Sequence, residues 1–333
     1  MKALAGPALV GVLALGVYAA TLSPNLAAAH DAVAYMNLID GPELAFHPHH
    51  LLFAPLAQLW IAALGRLGVT ASSSELVALL DACAGAAGLA LVYALLRRRA
   101  ELRPALAAAA TLCVGSSFGF WFYSVSVEVY LLPLTLILAA LYVLGGRDRV
   151  ELRFAAAGGL HALAVLFHQL HVLFLPAVLW AAWRAAQERR GGLVSALAAH
   201  AAVFTPIVLG AYAAVLWWVQ HVDSAEGALR YVASYALGGE YWYPPSAASA
   251  GRVFVGASRS LVGGHFLFAL PALRAPLAAA LPGQGLADEV FLVRGLAVGL
   301  VWVLIAVSLA LGPALLALAI GGARRCKDMA APA

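Results

Sequence analysis

Long apolar runs, separated by short charged ones, dominate the chain. A helix that crosses the hydrocarbon of a bilayer needs about 20 apolar residues. That length predicts spans at 4–22, 75–96, 104–121, 129–145, 153–168, 171–186, 194–220 and 292–320. The runs are continuous rather than alternating, which predicts helices and argues against a β-barrel. The expected fold is therefore all-α: a single polytopic membrane domain over 1–333 with about eight transmembrane helices. Two long connections interrupt the pattern, 23–74 and 221–291.

Charge decides which runs cross. RRRAELR (97–103), RDRVELR (147–153), RAAQERR (184–190) and ARRCKD (323–328) lie between or after the runs, and Lys2 opens the chain. Loops rich in Lys and Arg stay on the cytoplasmic side. If the apolar stretch 51–64 also crossed, the later basic loops would move outside. It is therefore expected to lie along the outer surface, as an interfacial helix over 49–66 that ends near Gly65-Arg66. This assignment puts 14 of the 20 Lys and Arg inside, with only 5 of the 16 acids. Both termini are then cytoplasmic, and the expected location is the bacterial inner (plasma) membrane. The first apolar run is expected to be a retained span, being long for a cleaved signal. Residues 253–281 are apolar but broken by Arg259, His265, Pro271 and Arg274, so they either dip into the membrane or form two short helices.

Composition strengthens the class and excludes others. Hydrophobic residues make up 64% of the chain and charged residues 11%, with a mean hydropathy of +0.90. A soluble domain carries roughly 25% charged residues. The basic residues fall in short clusters between spans, which is no footprint for nucleic acid. Cys83 and Cys113 lie within spans and Cys326 in the basic tail, so no disulfide framework is expected.

The remaining polar chemistry gathers on the outer side. The first long connection holds His30, Asp31, Asp40, Glu43, His47, His49 and His50. FWFYSVSVEVY (120–130) brings Glu128 to the outer surface, and FHQLH (167–171) brings His168 and His171. Arg230 and Arg259 lie in the second connection. Ionisable groups at membrane depth or just outside it are candidates for function. Asp31 also suits a plain helix cap. Trp121, Tyr123, Tyr130, Trp242 and Tyr243 suit an interfacial aromatic belt. The histidines suit hydrogen bonding to a lipid phosphate. A divalent metal on His47, His168 and His171 is the weaker alternative, and no cofactor is otherwise indicated.

The order of these features resembles the GT-C glycosyltransferases, polytopic enzymes that take a sugar from a polyprenyl phosphate carrier. The nearest likeness is to the bacterial branch related to protein O-mannosyltransferases. The residues that carry it are Asp31 after the first span, His47-Pro48-His49-His50-Leu51-Leu52, Trp121 with Glu128-Val129-Tyr130, and His168 ahead of LFLPAV. The likeness covers about 1–186. Asp31 is followed by Ala-Val-Ala-Tyr rather than by a second acid, and His49 stands where the family has a second proline.

The resemblance implies sugar transfer from a polyprenyl-phosphate donor to a hydroxyl on a protein, lipid or glycan acceptor, with inversion. Asp31 becomes the base that takes the acceptor proton, and Glu128 orients the acceptor or a sugar hydroxyl or helps hold a divalent ion. His47, His49, His50 and His168, with Arg230 or Arg259, face the donor phosphate. Two other classes remain in view: a lipid or small-molecule transporter or flippase, and a non-catalytic membrane protein of the same shape. A transporter is expected to carry ionisable groups inside its spans. Asp81, His161 and His200 are such residues, but no internal repeat relates them.

Overall fold

The computed structural model describes residues 2–23, 30–188, 191–234 and 246–280, with isolated positions from 299 to 317. The described residues form thirteen α-helices. They are α1 (Lys2–Ala20), α2 (His30–Ile39), α3 (Phe53–Arg66), α4 (Ser73–Arg98), α5 (Pro104–Gly115), α6 (Phe118–Val125) and α7 (Leu131–Leu144). Then come α8 (Val150–Phe167), α9 (Leu175–Gln187), α10 (Leu193–Ala214), α11 (Ala225–Val232), α12 (Ala247–Val262) and α13 (Pro271–Ala280). Tight 3-10 turns fill Gln169–Phe174 and Gly264–Ala269, and a π turn at Val215–Val219 prolongs α10.

Among the described residues, three helices are long and apolar enough to cross a membrane: α4, α8, and α10 with its π turn. The α5–α6 pair makes a fourth if its two limbs, bent by 65°, count as one broken span. The described residues therefore show fewer crossings than the sequence reading expects. The α7 helix has 14 residues and α9 has 13. At 1.5 Å per residue each is about 20 Å long, short of a hydrocarbon core of about 30 Å. The expected last span, 292–320, lies largely outside the described residues.

The expected span 104–121 breaks for a local reason. Ser116 Oγ donates to Leu112 O at 2.7 Å and Ser117 Oγ to Val114 O at 2.7 Å. Hydroxyls that bond back to preceding carbonyls compete with the helical ladder and bend it. The expected surface helix 49–66 starts later, at Phe53, because His47–His50 closes a turn first. The α3 helix is not among the described helices that meet the spanning criteria. It buries Phe53, Ala54, Pro55 and Ala57 and leaves Leu59 exposed.

The chain divides into two compact units, Met1–Pro104 with Tyr123–Tyr241, and Ala105–Phe122 with Trp242–Ala333. In the first unit α1 packs on α4, α4 on α7, α7 on α8, and α8 on α10. Small residues set these approaches: α4 buries Ala82, Ala84, Gly85, Ala86 and Gly88. A Cβ on Gly158 of α8 would sit 2.5 Å from the His200 carbonyl oxygen of α10, so the two backbones touch there. Close approach through small residues is how helices associate in lipid, where apolar side chains gain little by leaving the solvent. Phe154, Ala157, Val178, Ala182 and Ala196 form the adjoining core. In the second unit Phe266, Phe268 and Ile305 form a smaller cluster.

This row of helices separates two kinds of polar residue. Arg99, just past α4, donates to Tyr142 O near the end of α7 at 2.9 and 3.1 Å. Arg153 in the first turn of α8 donates to Leu144 O and Gly146 O at 2.5 and 2.7 Å. The same helices carry Asp81 near the start of α4, Glu128 just before α7 and His168 just after α8. The arginines therefore lie at one end of the row, with the acids and histidines at the other. The 18 residues of α8 set the separation at about 27 Å.

Candidate functional site

The histidine end is built from four stretches of chain. The first is α2, which sequence reading left inside a loop. It buries Ala32, Tyr35, Met36 and Ile39, the i, i+3, i+4, i+7 stripe of a half-buried helix. That stripe leaves Asp31 exposed in the first turn, one turn ahead of Tyr35.

The second stretch is the turn at His47–His50. His50 N–H donates to His47 O at 3.1 Å, and the His47 and His50 rings stack with centroids 5.2 Å apart. Two backbone bonds seat this turn on the end of α8: Leu52 N–H to Leu166 O, and Gln169 N–H to His49 O, each 3.1 Å. Fully buried Leu51 fills the space beneath.

The third stretch, His168–His171, follows α8. His168 caps the 3-10 turn by accepting from Leu170 N–H at 3.2 Å. Its ring meets His50 edge-on at 4.6 Å, Tyr130 at 5.3 Å and His171 at 5.7 Å. Tyr35 lies edge-on to the other side of His50 at 5.6 Å.

The fourth stretch leads from α6 into α7 and carries Glu128, only 5% exposed. Its backbone N–H donates to Asp81 Oδ2 at 3.1 Å, and Asp81 is completely buried. Asp81 Oδ1, Glu128 Oε2 and His50 Nδ1 are buried without a hydrogen-bond partner.

Burial sets the protonation of this end. It pushes the Glu128 carboxyl up to about 8, and the nearby Asp31 charge adds to the rise. Glu128 is therefore protonated at neutral pH and can donate a hydrogen bond. Burial and the neighbouring imidazoles lower His50 to about 3, and burial lowers His47 and His168 to about 4. These rings are neutral at pH 7, so each offers one N–H donor and no positive charge. Desolvation disfavours the charged form of acids and imidazoles alike, moving them in opposite directions.

The structure thus brings His47, His49, His50, His168 and His171 into one cluster and couples Asp31 to Glu128. Arg230 lies on α11, exposed and paired with Glu226 one turn before it. Arg259 lies on α12, in the other unit. Trp242 and Tyr243 fall outside the described residues. Among the described residues, no three His, Cys, Asp or Glu side chains are grouped to hold a metal ion.

Gln169 is the residue that sequence reading missed. Its Nε2 lies within hydrogen-bond reach of three acceptors that share its two hydrogens, Pro48 O at 2.9 Å, Tyr212 Oη at 2.8 Å and Val232 O at 3.1 Å. Its Oε1 lies 2.8 Å from His49 Nδ1. Tyr212 Oη also donates to Pro48 O at 2.6 Å, and Tyr231 Oη donates to Phe46 O at 2.6 Å. The only sequence signal was an amide between two histidines at the end of an apolar run; its partners are remote in the chain. Away from this cluster, His161 of α8 and His200 of α10 form a second buried pair, Nδ1 to Nε2 at 3.2 Å. His161 Nε2 also donates to His171 O at 2.9 Å.

No family model, curated protein or solved structure matches the chain.

Proposed function

We propose that the protein is an integral membrane glycosyltransferase of the GT-C type. It moves a sugar from a polyprenyl-phosphate donor to a hydroxyl acceptor at the outer face of a bacterial inner membrane. The observation that carries this reading is the coupling of exposed Asp31 to buried, protonated Glu128, two residues ahead of Tyr130, whose ring lies 5.3 Å from His168 of the neutral histidine cluster. The arginines at the opposite helix ends support the sidedness, since they match cytoplasmic loops.

In this reading Asp31 accepts the acceptor hydroxyl proton as the acceptor oxygen bonds to the anomeric carbon. The bond from that carbon to the phosphate oxygen breaks, and the phosphate leaves with the electron pair. Attack from the face opposite the phosphate inverts the centre. Protonated Glu128 donates to a sugar or acceptor oxygen and so orients it. His47, His50 and His168 present N–H donors to the leaving phosphate, whose growing charge they stabilise. His49 is already engaged by Gln169 and Ser234, so it offers the phosphate no N–H donor.

Purified protein with a radiolabelled polyprenyl-phosphate sugar tests the assignment. Asp31→Asn is expected to slow transfer by about 100-fold or more, the usual worth of a general base. Wild-type rates in both Asp31→Asn and Glu128→Gln would overturn it. A second reading, lipid or small-molecule transport, draws on the His161–His200 pair buried inside two spanning helices. Movement of a labelled lipid across vesicles without any sugar transfer would favour that one.

A further inference from the structure

His49 sits between two side chains in an arrangement the transferase reading does not use. Its Nδ1 lies 2.8 Å from Gln169 Oε1, and its Nε2 lies 2.8 Å from Ser234 Oγ. The three residues come from separate stretches: the histidine turn, the turn after α8, and the chain two residues past α11.

The protons in this line follow from the surrounding bonds. Pro48 O and Val232 O can only accept, and both face the same end of the Gln169 amide. That end must be the NH2 group, because a flipped amide would oppose its oxygen to two carbonyl oxygens. Gln169 Oε1 therefore faces His49, and His49 Nδ1 must carry the hydrogen. In the neutral ring Nε2 is then bare, and it accepts the Ser234 hydroxyl hydrogen.

A hydroxyl bonded to a bare imidazole nitrogen, with the far nitrogen held by a third group, is the arrangement of an activated serine nucleophile. A neutral amide serves as that third group in Cys-His-Asn sites, so Gln in place of a carboxylate is chemically sufficient. Ser234 is exposed, so a substrate can reach it. Burial lowers the His49 imidazole below its ordinary range, which favours the unprotonated ring that can take up a proton.

We propose that Ser234, His49 and Gln169 form a second reactive centre, a serine nucleophile with its base and positioning residue, acting on lipid carboxylic esters at the membrane surface. The lipid class follows from its place at the ends of α8 and α10, helices long and apolar enough to cross a membrane, where a bilayer would present its headgroup esters. Ser234 Oγ bonds to the ester carbonyl carbon while its proton passes to His49 Nε2. The tetrahedral adduct collapses, the ester C–O bond breaks, and the proton on Nε2 goes to the departing alkoxide. Water, activated by the same nitrogen, then attacks the acyl-serine. This releases the carboxylic acid and restores the Ser234 hydroxyl. The centre is independent of sugar transfer, so either proposal can fail alone.

The test uses full-length protein in detergent, a fluorophosphonate probe, and p-nitrophenyl butyrate as the ester. Covalent labelling is expected on Ser234, and it should vanish in Ser234→Ala. Ester hydrolysis is expected to fall by about 100-fold or more in Ser234→Ala, an exposed change that leaves the packing alone. Gln169→Glu tests positioning. A carboxylate beside Nδ1 stabilises the imidazolium, so the pH at which hydrolysis reaches half its maximum should rise relative to wild type. A merely structural Gln169 would change the rate without moving that midpoint. Absence of labelling in the folded wild type, or equal labelling and hydrolysis in Ser234→Ala, would overturn the proposal.

Discussion

Glu128→Gln is predicted to make the protein more stable, by an amount that grows with pH. The carboxyl is pushed from an ordinary 4.5 to about 8 in the fold, first by burial and then by the Asp31 charge. The sign follows from which state holds the proton. Below about pH 4.5 the carboxyl is protonated in both states and costs nothing. Between 4.5 and 8 the unfolded chain gives up the proton while the fold keeps it, so each pH unit favours unfolding by about 1.4 kcal/mol. Above about 8 the penalty levels off at roughly 5 kcal/mol. Gln keeps the shape of the protonated acid and has nothing to ionise, so it removes the penalty. Thermal unfolding of both proteins in one detergent at pH 5, 7 and 9 measures this. The gain should be small at pH 5 and largest at pH 9, while sugar transfer by the same variant declines. A stability difference that stays flat across that range would refute the assignment of a protonated buried Glu128.

Two further predictions address the frame that holds the site. Gly158→Ala should destabilise by about 1–3 kcal/mol, because its new methyl meets the His200 backbone rather than a movable side chain; denaturation midpoints in detergent would read this. Ser72→Ala should cost about 1 kcal/mol, since Ser72 and Glu75 form a reciprocal cap at the start of α4; hydrogen exchange should quicken first in that turn.

Much of the frame is written in local pattern. The apolar runs mark α1, α4, α7, α8 and α10 to within a few residues, although only α4, α8 and α10 of these reach a spanning length. The stops are less legible. The bend between α5 and α6 depends on two serine hydroxyls turning back to their own helix, in a run that reads as uninterrupted. The α2 helix escaped because it is only ten residues long, so a window tuned to spans passes over it. At the site, Asp31, Glu128 and the histidines could be singled out because charged or titratable groups are rare in such a chain. Their convergence could not be read, since Tyr130 against His168 and Glu128 against Asp81 are matters of packing between distant segments. Gln169 was hidden for the same reason: an uncharged amide stands out only once its partners are known.

The reach of Gln169 has a consequence for the order in which the protein is built. Its bonds run 121 residues back to Pro48 and 63 residues forward to Val232. As the chain is made, the histidine turn emerges early and must wait for α8, then α10, then α11 before its carbonyls and rings are satisfied. Contacts this far apart in sequence form late in folding. The histidine end is therefore the last part of this unit to assemble, and a chain halted before residue 232 would have most of its described helices but an unfinished histidine cluster.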